Sequence, residues 1–119
     1  MTKHEMKTRT KRYGLRVIKA VQALPQDRIV NVLGAQLPRC GTSVGANYRV
    51  ACRAKSTDFI NKLKIVEEEA DESLYWMEML VESGVMLARR LSALMHEGDE
   101  ILSIVVASLK RGRNTARKS

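Results

Sequence analysis

The residues best suited to hold a metal or act as a nucleophile are few. His4 and His96 are the only histidines, and Cys40 and Cys52 the only cysteines. No second histidine or cysteine stands at ligand spacing from either histidine, so the pattern does not build a zinc site. The run Glu67-Glu68-Glu69-Ala70-Asp71-Glu72 has the carboxylates of a di-iron bundle. Such bundles also need Glu-x-x-His, and the residue three before His96 is Ala93. Ser43 and Asn47 share a helix face but have no histidine near them in sequence, and neither a glycine-rich phosphate loop nor a nucleophile elbow occurs. The expectation is a protein that is not an enzyme, with no metal, no cofactor and two reduced cysteines acting as small apolar residues.

The other chemistry within reach is phosphate recognition. Arg39, Thr42, Ala46, Arg49 and Arg53 fall on the outward face of one predicted helix, and a guanidinium grips phosphate through two parallel hydrogen bonds. Both ends of the chain are basic. Residues 1–19 carry +6, and residues 110–119, with Lys110, Arg111 and Arg113, carry +5. Basic segments favour polyanions because neutralising phosphates releases counterions. The competing reading of the arginine ridge is internal pairing. Residues 67–82 hold seven acids and no lysine or arginine, and a bundle with one basic and one acidic helix pairs them.

Four stretches of helical periodicity must position these groups, and none shows strand alternation. The first runs from about Thr10 to Leu24, with Tyr13, Val17, Ala20 and Leu24 on one face, and Pro25 ends it. The second runs from about Asp27 to Ala54. Its seam is Val30, Leu33, Leu37, Cys40, Val44, Asn47 and Ala51, which makes Asn47 a buried polar register pin. Pro38 lies inside it and predicts a kink or break over 34–38. The third runs from a Ser56-Thr57-Asp58 cap cluster to a Ser83-Gly84 stop. The fourth runs from about Val85 to Lys110. Four amphipathic helices with short connections predict an all-α, antiparallel up-down four-helix bundle with left-handed packing over residues 10–111. Residues 1–9 and 112–119 are then basic tails.

Composition agrees with a folded single domain. At 119 residues with 45% hydrophobic and 29% charged side chains, the chain can bury a core without disulfides. An aromatic content of 4% argues against a base-stacking surface. No apolar run is long enough to span a membrane, and the basic start leads into no apolar block, so the expected place is the cytoplasm.

Ile65, Tyr75, Trp76 and Met79 lie away from the inner seam of the third helix. A helix with two apolar faces in a small protein predicts self-association. Residues 33–50 admit another arrangement, a helix-turn-helix DNA reader with its turn at Arg39-Cys40-Gly41-Thr42. Against it, the 3-4 seam runs through the supposed turn without a phase reset.

A sequence pattern adds to this. Gln36, Leu37 and Arg39, then Ser43, Val44 and Asn47, then Arg53, Ser56 and Phe59, then Glu67–Glu72 and Trp76 resemble the bacterial four helix bundle protein family, also called the 23S rRNA intervening sequence protein. The resemblance extends from about Leu15 into the last helix. It implies an up-down bundle assembling into a ring, commonly a homopentamer, without catalytic residues. It also implies likeness in fold to the accessory protein of diversity-generating retroelements, with RNA or DNA, and a reverse transcriptase or other nucleic-acid enzyme, as partners. Two positions depart: Pro38 stands where members often carry a basic residue, and Gly45 where many carry proline.

Three functions follow as expectations. The first is a non-enzymatic, self-assembling bundle binding nucleic acid through Arg39, Arg49, Arg53, Lys110, Arg111 and Arg113. The second is a protein-interaction ring with no nucleic-acid role. The third is the helix-turn-helix DNA reader.

Overall fold

The computed structural model describes residues 1–118, and the side chains of residues 1–115. It consists of α1 (Lys3–Gln22), α2 (Arg28–Arg53), α3 (Ser56–Glu82) and α4 (Ala88–Lys118). Each helix packs along its neighbours in sequence, α1 also packs along α4, and the diagonal helices α1 and α3 meet through the side chains of Tyr13 and Ser73. This is an antiparallel up-down four-helix bundle, 52 Å along its longest axis. The core runs along its centre: Tyr13 and Val17 from α1, Leu37 and Val44 from α2, Leu63, Val66, Met77 and Leu80 from α3, and Leu91, Ile101, Val105 and Leu109 from α4.

The helix ends follow local chemistry. Thr2 caps α1 by accepting from the Glu5 N–H at 3.1 Å. Asp27 caps α2 by accepting from the N–H groups of Ile29 at 2.9 Å and Val30 at 3.3 Å. Gly84 has φ +81, and beyond it the Met86 N–H returns to the Leu80 carbonyl at 3.1 Å, closing α3.

Several boundaries differ from those read in the sequence. Residues 3–9 are the first turns of α1 and not a tail, because Met6 and Thr10 are buried. The Thr10 hydroxyl satisfies itself by donating to the Met6 carbonyl at 2.9 Å. Pro38 does not break α2, which is continuous over Arg28–Arg53. Packing against α1 on one side and α3 on the other outweighs one lost backbone hydrogen bond. That continuity removes the helix-turn-helix reading, since Gly41 lies in mid-helix. Asn47 is half-buried, and its amide donates to the Ser43 carbonyl at 2.9 Å and hydroxyl at 2.7 Å within its own helix. Tyr48 takes the buried position beside it. Lys55 caps α3 without a side-chain bond, so the Ser56-Thr57-Asp58 cluster does not cap, and Ser56 sits at φ 47. Helix α4 starts at Ala88 and continues through Lys118, so 112–118 is helix, while Ser119 lies outside the described residues.

Glycines set how closely α1 approaches α2. A Cβ on Gly41 would sit 2.9 Å from both Val17 methyls, and one on Gly45 would sit 3.1 Å from the Thr10 carbonyl carbon and oxygen. Two interactions then fix the height of α1. The buried Tyr13 hydroxyl lies 2.7 Å from the Ser73 hydroxyl, which itself donates to the Ala70 carbonyl at 2.7 Å. Arg9 forms a two-pronged bridge to Glu97, with both N–O distances 2.7 Å, and also pairs with Glu100.

Two predictions follow from this packing. Gly41→Val forces overpacking against Val17 and lowers unfolding free energy by about 1–3 kcal/mol, read by urea denaturation. Tyr13→Phe costs about 1 kcal/mol at neutral pH. Burial pushes the Tyr13 phenol up to about 12, above its ordinary 10.0. The unfolded chain therefore ionises first, and the stabilisation present below pH 10 is lost as pH rises through about 12. Alkaline denaturation should be shallower in Tyr13→Phe than in the parent protein.

Candidate functional site

Antiparallel topology brings four helix ends together. The start of α1, the end of α2, the start of α3 and the end of α4 share one end of the bundle. Contacts across that end confirm the placement. The Lys3 ammonium lies 4.8 Å from the centre of the Phe59 ring, and Gly112 packs so near Ile60 that a Cβ would come within 3.3 Å. The same end presents Arg53, Lys55, Lys110, Arg111 and Arg113 as exposed cations, with Lys62 half-buried beside them. Two charged segments far apart in sequence thus form one surface. Residues 65–102, mostly toward the other end, are acidic apart from Arg89, Arg90 and His96.

A cleft of about 590 Å³ runs up from this end between α1 and α2. His4, Lys7, Lys11, Arg49 and Arg53 form its lower part, and Leu15, Ile18, Thr42 and Ala46 its upper part. Leu15 is 58% exposed and Ile18 38% exposed. Sequence reading missed this cleft. The signal was the stripe His4, Lys7, Lys11, Leu15 and Ile18, spaced three or four apart and offset from the core stripe of the same helix.

The arginine ridge is divided. Arg39 faces α3, where its Nη2 lies 2.5 Å from Glu72 and its Nη1 3.8 Å from Glu69. Its Nε donates to Gln36 at 3.1 Å. The pairing reading therefore holds for Arg39, and the structure does not bring it together with Arg49 and Arg53, which lie in the cleft. Lys110, Arg111 and Arg113 are exposed on α4, and Arg111 donates to the Ser108 hydroxyl at 3.2 Å.

Beside Arg39, ligand atoms of Cys40, Glu69 and Glu72 lie within 4.8 Å of one another. Their chemistry is that of a closed ion-pair cluster. The Cys40 thiol donates to the Gln36 carbonyl at 3.1 Å, and burial pushes it up to about 11, so it stays neutral. The Arg39 guanidinium occupies the carboxylates. Burial, and then the neighbouring Glu72, hold the Glu69 carboxyl above its usual range. One Glu69 oxygen is buried without a hydrogen bond.

The second face of α3 is partly open. Tyr75 is 51% exposed and Met79 37% exposed, while Ile65 and Trp76 are half-buried. Trp76 packs against the core, its N–H reaches Glu72 at 3.4 Å, and its ring meets Tyr75 edge-on at 5.0 Å. Among the described residues, no helix is long and apolar enough to cross a membrane.

The profile of the 23S rRNA-intervening sequence protein family matches residues 2–107. The chain belongs to that family. A solved structure from Bacteroides thetaiotaomicron, described as a protein with unknown function from the S23 ribosomal protein family, is similar at 31% identity and a TM-score of 0.84. The similarity covers 92% of this chain and 99% of that one. No curated protein matches. The Arg53 and Phe59 positions that carried the resemblance in sequence fall at the basic end of this family member, and Glu69 and Glu72 of the Glu67–Glu72 block meet Arg39.

Two glutamates should respond oppositely to neutralisation. Glu97 is held below the usual carboxylate range by hydrogen bonding to Arg9, so its stabilisation is present above the unfolded value of 4.5 and lost as pH falls. Glu97→Gln should cost about 1 kcal/mol at neutral pH, with the difference vanishing in acid. Glu69 is shifted upward, so Glu69→Gln should leave the denaturation midpoint unchanged or raise it.

Proposed function

We propose that this protein is a non-enzymatic, self-associating helical bundle that binds nucleic acid across its basic end. The observation that carries the reading is the convergence of Arg53 and Lys55 with Lys110, Arg111 and Arg113 at one end, although they lie far apart in sequence. A focused cationic surface attracts phosphates more strongly than the same charges spread over two tails.

Helix electrostatics support a role beyond stability. Positive charge is favourable at a helix C-terminus and unfavourable at an N-terminus. Arg53, in the last turn of α2, obeys that rule. Lys3, in the first turn of α1, does not, and α3 ends in Glu82 with no basic residue in its last turn. Each wrong-signed charge costs roughly 0.3–1 kcal/mol when near the terminus. Charges kept against the dipole serve the surface and not the helix. The family name links its members to 23S rRNA, which makes structured RNA the first ligand to test.

The test is binding of duplex and single-stranded RNA and DNA across a salt series. The expected result is affinity that falls steeply with salt, and a loss of at least tenfold in Lys110→Glu/Arg111→Glu/Arg113→Glu with helicity unchanged. Absence of binding at low salt, or equal binding by that variant, overturns the reading.

A further inference from the structure

The chain's single phenylalanine stands at the basic end of the bundle. We infer that the Phe59 ring is a stacking platform for one unpaired base of a nucleic acid whose phosphates are held by the cations around it. This rests on the nucleic-acid reading above and names what that surface recognises beyond charge.

The ring is central, not peripheral. Phe59 belongs to α3, and the ammonium 4.8 Å from its ring centre belongs to Lys3 of α1. Helices α1 and α3 stand on a diagonal of the bundle, so a contact between them reaches across its end. Phe59 is half-buried: part of it packs against the core, and the Lys3 ammonium lies over its face. Next to it in sequence, Ile60 packs against Gly112, which brings the cationic end of α4 alongside. Lys55 and Lys62 stand four residues before and three after Phe59, on its side of α3. They lie about 6 Å and about 4.5 Å from it along the helix axis. The acids nearest in sequence are Glu5 and Asp58, each in the first turn of its helix, where the helix dipole favours them.

A nucleic-acid strand alternates anionic phosphates with flat bases, and this end offers cations around one flat ring. The other aromatic side chains are placed elsewhere. Tyr13 and Tyr48 are buried, and Tyr75 and Trp76 lie on the acidic stretch of α3. The end therefore takes a single base and not a run of them. An ammonium over an exposed ring is held more weakly than a stacked base. An incoming base displaces the Lys3 ammonium, which stays beside it as a partner for phosphate. A fully paired duplex keeps its bases inside the helix, so the form this site selects is a strand end or loop whose base is free to splay out.

The experiment uses an RNA duplex with a short single-stranded tail that carries one adenine, and the same RNA with an abasic sugar at that place. The two probes have equal numbers of phosphates, so electrostatic attraction is the same for both. The parent protein should bind the adenine probe about fivefold or more tightly than the abasic one. Phe59→Leu should erase that preference while its affinity for the abasic probe stays within about twofold of the parent's, with circular dichroism confirming intact helices. Phe59→Tyr, which keeps a ring, should retain it. DNA versions of both probes identify the strand type, as the one with the larger gain from the base. Equal binding of the two probes by the parent overturns the platform and leaves the nucleic-acid reading standing, and it does so whether or not a variant folds. A preference that survives in Phe59→Leu also overturns it. Failure to bind either probe at low salt overturns both.

Discussion

Everything in this bundle depends on α1 lying flat against α2. Two positions make that possible: Gly41 against Val17, and Gly45 against the backbone at Thr10 and Lys11. A side chain at Gly41 or Gly45 would push the helices apart. The buried positions of Tyr13 and Val17 would open with them. Close approach also sets the geometry of the outer cleft, because the same two helices form its walls.

With α1 seated, its height follows from polar contacts that tolerate little sliding. Tyr13 and Ser73 satisfy each other in the core, and Arg9 reaches Glu97 and Glu100 across the seam to α4. A one-turn slip would leave the phenol and the guanidinium unpaired, and an unpaired buried donor costs more than the bond itself contributes. The α1–α4 seam is the least packed of the four, and Arg9 bridges it through Glu97 and Glu100. Gly98 lets Tyr13 fit there, since a Cβ would come 2.8 Å from the phenol oxygen.

Charge is then sorted by topology. An up-down bundle folds the chain so that its two basic ends coincide, and the acidic block of α3 is left toward the other end and on the flank. Part of that block is spent internally on Arg39, through Glu69 and Glu72. The rest, Glu68, Asp71, Glu78 and Glu82, faces outward. This division separates an internal clamp from a surface, although both come from one run of carboxylates.

The residue pattern shows which parts were legible beforehand. The seams of α2, α3 and α4 were plain, because Leu37, Val66, Ile101 and their neighbours recur at helical spacing against polar faces. The start of α1 was hidden, because Met6 and Thr10 are the only buried residues among many cations, and a threonine does not announce itself as core. Pro38 misled because local propensity weighs little against two packed faces. Arg39 and Arg49 look alike in sequence. A different neighbour at each makes one a clamp and leaves the other lining a cleft.

The chain's own chemistry thus determined that there would be four amphipathic rods, where most of them end, and which segments carry each sign of charge. Periodicity and local caps encode these within a few residues of each other. Only the tertiary structure decided which charges would be neighbours, at what height α1 stands beside α3, and that two distant basic segments would form one surface. Those facts depend on distances between residues dozens of positions apart, which are set when glycines admit one helix to another and the buried hydroxyls find each other.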